Sequence, residues 1–222
     1  MSAMGITAAF ALFAWYARGV NLTGALAGSA VAFILAARDL RMFCMLLVVF
    51  AITLGATRLG SERKRQLRTA ERADGRSASQ VMANLGVAAV AAALAAPGWP
   101  LLTLAALAEA AADTASSEIG MAFPGRTVLI TSWQTVPAGM DGGISLRGTA
   151  AALGAAVIIA LAARALGLAT AHQSAVIIYA GFLGTVIDSV LGALFERRGW
   201  INNDLVNLLS TSAAAVIAWM MR

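Results

Sequence analysis

The chain is poor in the residues that most soluble chemistry relies on. Its 222 residues include one histidine, His172, and one cysteine, Cys44. A single cysteine excludes an internal disulfide framework, and without Cys/His clusters no zinc site is expected. The only lysine is Lys64. A Walker A loop, which needs Lys in GxxxxGK[ST], is therefore ruled out, and any phosphate chemistry must use a different cradle. Charged residues make up only 12%, against about 25% in an ordinary soluble domain. No Lys or Arg precedes the first apolar run, "MSAMGITAAF". That run is expected to be a membrane helix rather than a cleaved signal.

What is abundant is apolar. Hydrophobic residues make up 60% of the chain, and the mean hydropathy is +0.80. Uncharged stretches cover 2–17, 19–37, 42–57, 77–108, 148–163, 165–187 and 205–221. A bilayer core needs about 20 apolar residues, with a range of about 17 to 25. The expectation is an all-α, polytopic transmembrane helix bundle forming a single integral membrane domain, 1–222. About eight spans (seven or eight) are expected: 4–17, 22–37, 41–57, 79–96, 100–120, 148–166, 173–194 and 204–221. Pro97 and Pro100 mark a tight turn between the fourth and fifth. "GALAG", 24–28, offers a small-xxx-small packing face.

The segment "RLGSERKRQLRTAERADGR", 58–76, carries seven Lys/Arg against three acids. The positive-inside rule places this basic loop, 58–78, in the cytoplasm. Net charge is +5, but its concentration in one loop reads as a topology signal, and no nucleic-acid partner is expected. Counting outward puts the Gly-rich loop 121–147 and segment 195–203 on the same side. Both termini and the turns at 97–99 and 167–172 fall on the other. Arg38 and Arg41 also fall there, against the rule. The expected location is the cytoplasmic (inner) membrane, with the active site at the cytoplasmic face.

Against that background the acids stand out. "AEAAADTASSEIG", 108–120, places Glu109, Asp113 and Glu118 in one apolar span. Asp188 lies within another span, Asp204 opens the last, and Asp141 falls in the Gly-rich loop. Gln80 and Asn84 share a helical face at i, i+4. All but Glu109 fall at one membrane level. Burying a carboxylate there costs at least a few kcal/mol, so such residues line functional cavities. Capping accounts for Asp204, since Asn202, Asn203 or Asp204 can start the last helix, and an interfacial position accounts for Glu118. Neither explanation covers Asp113 or Asp188, which have no basic residue within a turn or two. Asp113, Glu118, Asp188 and Asp204 are the candidate catalytic and metal ligands, and their hard oxygens suit Mg²⁺. Glu109, one turn deeper, is a candidate partner or proton carrier.

"PAGMDGGISLRG", 137–148, reads either as a flexible turn or as a backbone nest for phosphate, with Asp141, Gly142 and Gly143 in the cradle and Arg147 as counter-charge. "GRSASQVMANLG", 75–86, opens with a Ser77-x-x-Gln80 capping box. That leaves Asn84, one turn deeper, as a candidate site residue.

Together "QVMANLG", "ADTASSEIG", "GMDGGISLRG", "GFLGTVIDSVLGA" and "NNDLVNLLST" resemble, in order and spacing from about residue 20 onward, the transmembrane protein 19 family (domain of unknown function 92). That family includes the plant phytyl-phosphate kinase. The resemblance implies Mg²⁺-dependent transfer of a phosphoryl group from a nucleoside triphosphate (CTP, UTP or ATP) to an isoprenyl monophosphate in the membrane. It would carry over Asn84, Asp113, Glu118, Gly142, Gly143, Asp188, Asn203 and Asp204. Rival readings are a cytidylyltransferase or a prenol kinase on the same lipids, or a cation-coupled transporter, for which intramembrane acids are also expected.

Overall fold

The computed structural model describes residues 3–67, 74–95, 97–123 and 125–222. These form a bundle of α-helices with one two-stranded antiparallel ribbon. The chain order is α1 (Ala3–Tyr16), α2 (Leu22–Arg38), α3 (Leu40–Arg58), the short α4 (Ser61–Gln66), α5 (Ala78–Leu94), α6 (Trp99–Ala122), β1 (Thr127–Leu129), β2 (Gly143–Ser145), α7 (Leu146–Ala165), α8 (Ala171–Leu194), a 3-10 turn (Glu196–Arg198) and α9 (Asn203–Met220). The long helices lie where the apolar stretches predicted them.

Among the described residues three segments, Leu40–Arg58, Leu146–Ala165 and Ala171–Arg198, are long and apolar enough by themselves to cross a membrane. This makes the chain an all-α bundle consistent with a polytopic membrane protein. The remaining long helices fall short of the expected eight spans for identifiable reasons. Helices α1, α2 and α5 are apolar but have only 14, 17 and 17 residues. Helix α6 has 24 residues but carries Glu109, Asp113 and Glu118, and α9 begins with a polar turn and continues through Ser210, Thr211 and Ser212.

Helix α6 is the axis of the bundle and packs against α3, α5, α7, α8 and α9. Its sequence explains this position. Leu104 to Ala112 is continuously buried, and mostly alanine, so neighbouring backbones approach closely. Gly181 of α8 sits so near that a Cβ there would meet Ala108 Cβ at 2.8 Å. With five helices around it, the middle of α6 faces protein, and Glu109 with it.

The two ends of the bundle are tied differently. At one end Arg41 Nη1 donates to the Leu166 carbonyl at 3.3 Å, Arg38 donates to the Ala93 carbonyl, and Arg222 Nη1 to that of Pro97 at 2.9 Å. Arg41 also pairs with Asp39 at 2.6 Å. The two arginines that broke the charge pattern thus staple this end together. At the other end Arg58 Nη2 donates to the Ala17 carbonyl at 2.7 Å and Arg63 Nε to that of Met121 at 3.0 Å. The anticipated capping box is present, with Ser77 N–H donating to Gln80 Oε1 at 2.8 Å. Asn202 is the residue that caps α9.

The segments expected as loops contain structure. Residues 61–66 form α4, while Arg68 and Arg72 of the basic segment lie outside the described residues. Within 121–147, β1 pairs with β2 in the register Thr127↔Ser145, Val128↔Ile144 and Leu129↔Gly143.

Candidate functional site

A polar cavity of about 430 Å³ opens among the ends of α5, α6, α8 and α9 beneath the 138–145 segment. Asp113 of α6 and Asp188 of α8 line it together, near enough that the charge of Asp113 acts on Asp188. Ser210 of α9 donates its hydroxyl to Asp188 Oδ2 at 3.2 Å, fixing that carboxylate from a third helix. The charges of both aspartates act on Glu109. It is 1% exposed, and its Oε1 has no hydrogen-bond partner among the described residues. Its side chain fills the notch left by Gly184, where a Cβ would come within 2.5 Å of Glu109 Cγ.

The other expected site residues divide. Asn84, Asp141, Gly142, Gly143 and Asn203 line the polar cavity. Asn84 is held by an Nδ2 bond to the Gln80 carbonyl at 2.9 Å. Asp204 and Arg147 lie outside the lining, and Arg147 is exposed on the first turn of α7. Glu118 borders the cavity but is engaged elsewhere. Thr57 Oγ1 donates to its Oε1 at 3.1 Å and Lys64 Nζ to its Oε2 at 2.6 Å. Gly142 adopts φ +74°, and a Cβ there would meet Ala193 Cβ at 2.4 Å. This glycine presses the loop onto the end of α8. The Gly143 N–H donates to the Met140 carbonyl at 2.8 Å, so that amide closes a turn instead of facing a ligand.

Three contributors were not legible as site residues. Arg76 lines the cavity, and its charge acts on Asp113. Its backbone is fixed by bonds to Gly19 and Asn21, which hold it just ahead of the α5 cap. Glu196, in the 3-10 turn, lines the same cavity and acts on Asp188. Asn207, one turn beyond Asn203, completes the α9 wall. Arg76 sits in the basic segment that reads as a topology signal, and Glu196 in "FERRG" reads as a surface turn.

Next to the polar cavity lies a second, mostly apolar one of about 270 Å³, between α1, α2, α3, α5 and α6. Arg76, Gln80, Asn84 and Thr114 line both. One end of the apolar cavity carries Arg18, Lys64, Arg65 and Arg76, and its walls are Phe10, Ala14, Leu46, Val49, Phe50 and Leu85.

Residues 5–215 match the family model Integral membrane protein DUF92. The chain belongs to this family. It is the family that the ordered motifs resembled. The chain is 31% identical over 193 residues to the chloroplastic protein VTE6 of Arabidopsis thaliana, covering 81% of this chain and 58% of that relative. The chain thus spans little more than half the length of VTE6. It is 34% identical over 179 residues to an uncharacterized membrane protein of Methanocaldococcus jannaschii, covering 78% of this chain and 73% of the relative. It is 31% identical over 192 residues to an uncharacterized membrane protein of Synechocystis, covering 82% and 74%. No solved structure matches the chain.

Asp113 and Asp188 are the carboxylates of this cavity that would serve the Mg²⁺ that the resemblance implies. Asp113 and Asp188 present hard carboxylate oxygens side by side, with Glu109's unpartnered oxygen behind them. Among the described residues no group of three or more His, Cys, Asp or Glu is placed to hold a metal ion, so protein carboxylates alone would supply at most two ligands. Mg²⁺ typically takes one or two carboxylates and completes its shell with water and substrate phosphate.

Proposed function

We propose that the chain transfers a phosphoryl group from a nucleoside triphosphate to an isoprenyl monophosphate, releasing the nucleoside diphosphate and an isoprenyl diphosphate. The observation that carries this reading is the junction of the two cavities. A carboxylate-bearing polar chamber meets an apolar one through Arg76, Gln80, Asn84 and Thr114. A prenyl phosphate has the same two-part character. Family membership supports a kinase-like role on isoprenoid lipids, as in the plant phytyl-phosphate kinase.

Asp113 and Asp188 would hold Mg²⁺, which when bound neutralises charge on the triphosphate. Arg76 and Asn84, at the junction, would hold the acceptor phosphate where its oxygen can attack the γ-phosphorus as the bond to the β-bridging oxygen breaks. A phosphate monoester is already a competent nucleophile at neutral pH, so no strong base is required, and catalysis is mostly positioning and charge neutralisation. Glu118 acts at one remove, through Lys64 and Thr57. The 138–143 segment roofs the nucleotide side. The reading includes about eight spans, with the short and polar helices shielded by their neighbours. The basic end and the polar cavity face the cytoplasm, and both termini lie on the opposite side.

A cation-coupled transporter is the second reading, favoured by one observation: the carboxylates continue inward from Asp113 to Glu109, whose Oε1 has no hydrogen-bond partner among the described residues. Following lipid and nucleotide products by mass, with Mg²⁺, each common nucleoside triphosphate and a panel of prenyl phosphates, separates the two. A prenyl diphosphate with a nucleoside diphosphate supports the kinase. A CDP-lipid with pyrophosphate would instead indicate a cytidylyltransferase. No nucleotide consumption moves the transporter forward.

A further inference from the structure

We infer that Gly28 sets how long a prenyl tail the apolar cavity accepts. The inference rests on the prenyl-phosphate reading above. Three glycines line this cavity: Gly19, Gly24 and Gly28. A Cβ at Gly19 would meet the Phe50 ring at 2.8 Å, and one at Gly24 the Arg76 carbonyl oxygen at 2.2 Å. These two glycines permit close packing. A Cβ at Gly28 would meet nothing within 4 Å, although "GALAG" reads as a helix-packing face. Gly28 therefore packs against no neighbour, and its missing side chain is cavity space.

Its place along the bundle gives that space a meaning. Arg18, Lys64 and Arg76 mark the phosphate end of the cavity. Gly24 lies on the first turn of α2, against Arg76, and Gly28 is one turn further from that end. Phe10 is at a similar depth on α1, its ring packed edge-on against Phe50 at 5.2 Å between centroids. Leu46 is three turns back from the end of α3. A tail that enters with its phosphate at Arg76 thus passes Gly28 as it fills the cavity. A glycine inside a helix is less favourable than alanine, and here no packing contact offsets that cost. Gly154 of α7 also has open space, but it is exposed on the outside of the bundle and lines neither cavity. It is the matched control.

The test uses the full chain, purified in detergent, with geranyl phosphate, geranylgeranyl phosphate and a geranylgeranyl phosphate bearing a diazirine at the tail tip. In Gly28→Leu the ratio of geranylgeranyl to geranyl turnover should fall about ten-fold or more, the scale on which pockets discriminate hydrocarbon. Gly154→Leu should keep the wild-type ratio. Photo-adducts in the wild type should map to the peptides around Phe10, Gly28 and Leu46, and should decline in Gly28→Leu. An unchanged ratio, or adducts on the outer faces of α7 and α8, would overturn the inference while leaving the reaction intact. Adducts at Gly28 that decline in Gly28→Leu, without turnover of any prenyl phosphate, would sink the reaction and leave the cavity assignment standing.

Discussion

Lys64 Nζ lies 2.6 Å from Glu118 Oε2, and the lysine is only 1% exposed. The chain's one lysine is therefore inside the protein. Nζ also donates to the Thr57 carbonyl at 2.6 Å and the Ala56 carbonyl at 3.1 Å, tying the end of α3 and α4 to α6. Lys64 borders the apolar cavity and Glu118 the polar one. The ion pair is part of the partition between them.

Removing one partner of this pair leaves a buried charge alone, which typically costs about 3–5 kcal/mol. Lys64→Met should accordingly lower the thermal midpoint in detergent steeply. The double variant Lys64→Met/Glu118→Leu should recover much of the loss, because an apolar replacement of a whole buried pair is often close to neutral. Equal losses in both variants would show that the pair is not what the site depends on.

Asp113→Asn and Asp188→Asn remove charge from the pair of carboxylates that the proposed reaction uses. Each should lower turnover about a hundred-fold or more, the scale of losing one group that stabilises transition-state charge. Membrane insertion and thermal midpoint should stay near wild type, since relieving two adjacent acids does not cost packing. Size-exclusion profiles and melts recorded beside the assay distinguish this outcome from simple unfolding.

These two aspartates were legible in the sequence because a charge inside an apolar run has no cheap structural explanation. The helix positions were legible for the same reason in reverse, from uncharged stretches separated by arginines. Arg76, Lys64 and Glu196 were hidden because a charge at the margin of a span looks like topology, and only the fold shows which margins turn inward. Helix α4 is six residues long, below the length that holds a helix in water, and it is fixed by the long-range Lys64–Glu118 contact. The two cavities are properties of packing between distant helices, which no local pattern encodes. Asp204, expected as a ligand, opens α9 outside the cavity lining, where Asn202 provides the cap.

Arg76→Gln tests the junction. The backbone of Arg76 carries its bonds to Gly19 and Asn21, so changing the side chain leaves those bonds in place. Hydrogen bonds to charged groups contribute about 1.5–3 kcal/mol. KM for the prenyl phosphate should rise about ten-fold or more, with a smaller effect on KM for the nucleotide. An unchanged KM for the lipid would remove Arg76 from the acceptor's binding site.

The glycines of "GFLGTVIDSVLGA" should behave unlike other helical glycines. Gly184→Ala would push a methyl to within 2.5 Å of Glu109 Cγ and 3.1 Å of Ala214 Cβ. Overpacking of this kind typically costs about 1–3 kcal/mol, and it displaces Glu109 from behind the aspartates. Gly154→Ala, in open space, should be neutral or stabilising by up to about 1 kcal/mol. Melting curves of the two variants side by side check the contrast.

The most direct measurement is the product mass spectrum of the purified wild type and Asp188→Asn, each given Mg²⁺, a prenyl monophosphate and a nucleoside triphosphate. The account predicts that the wild type makes prenyl diphosphate and nucleoside diphosphate in equal amounts while Asp188→Asn, equally well folded, makes almost none. Equal product from both proteins would contradict the role given to the paired carboxylates. No product from the wild type with any nucleotide would contradict the reaction itself.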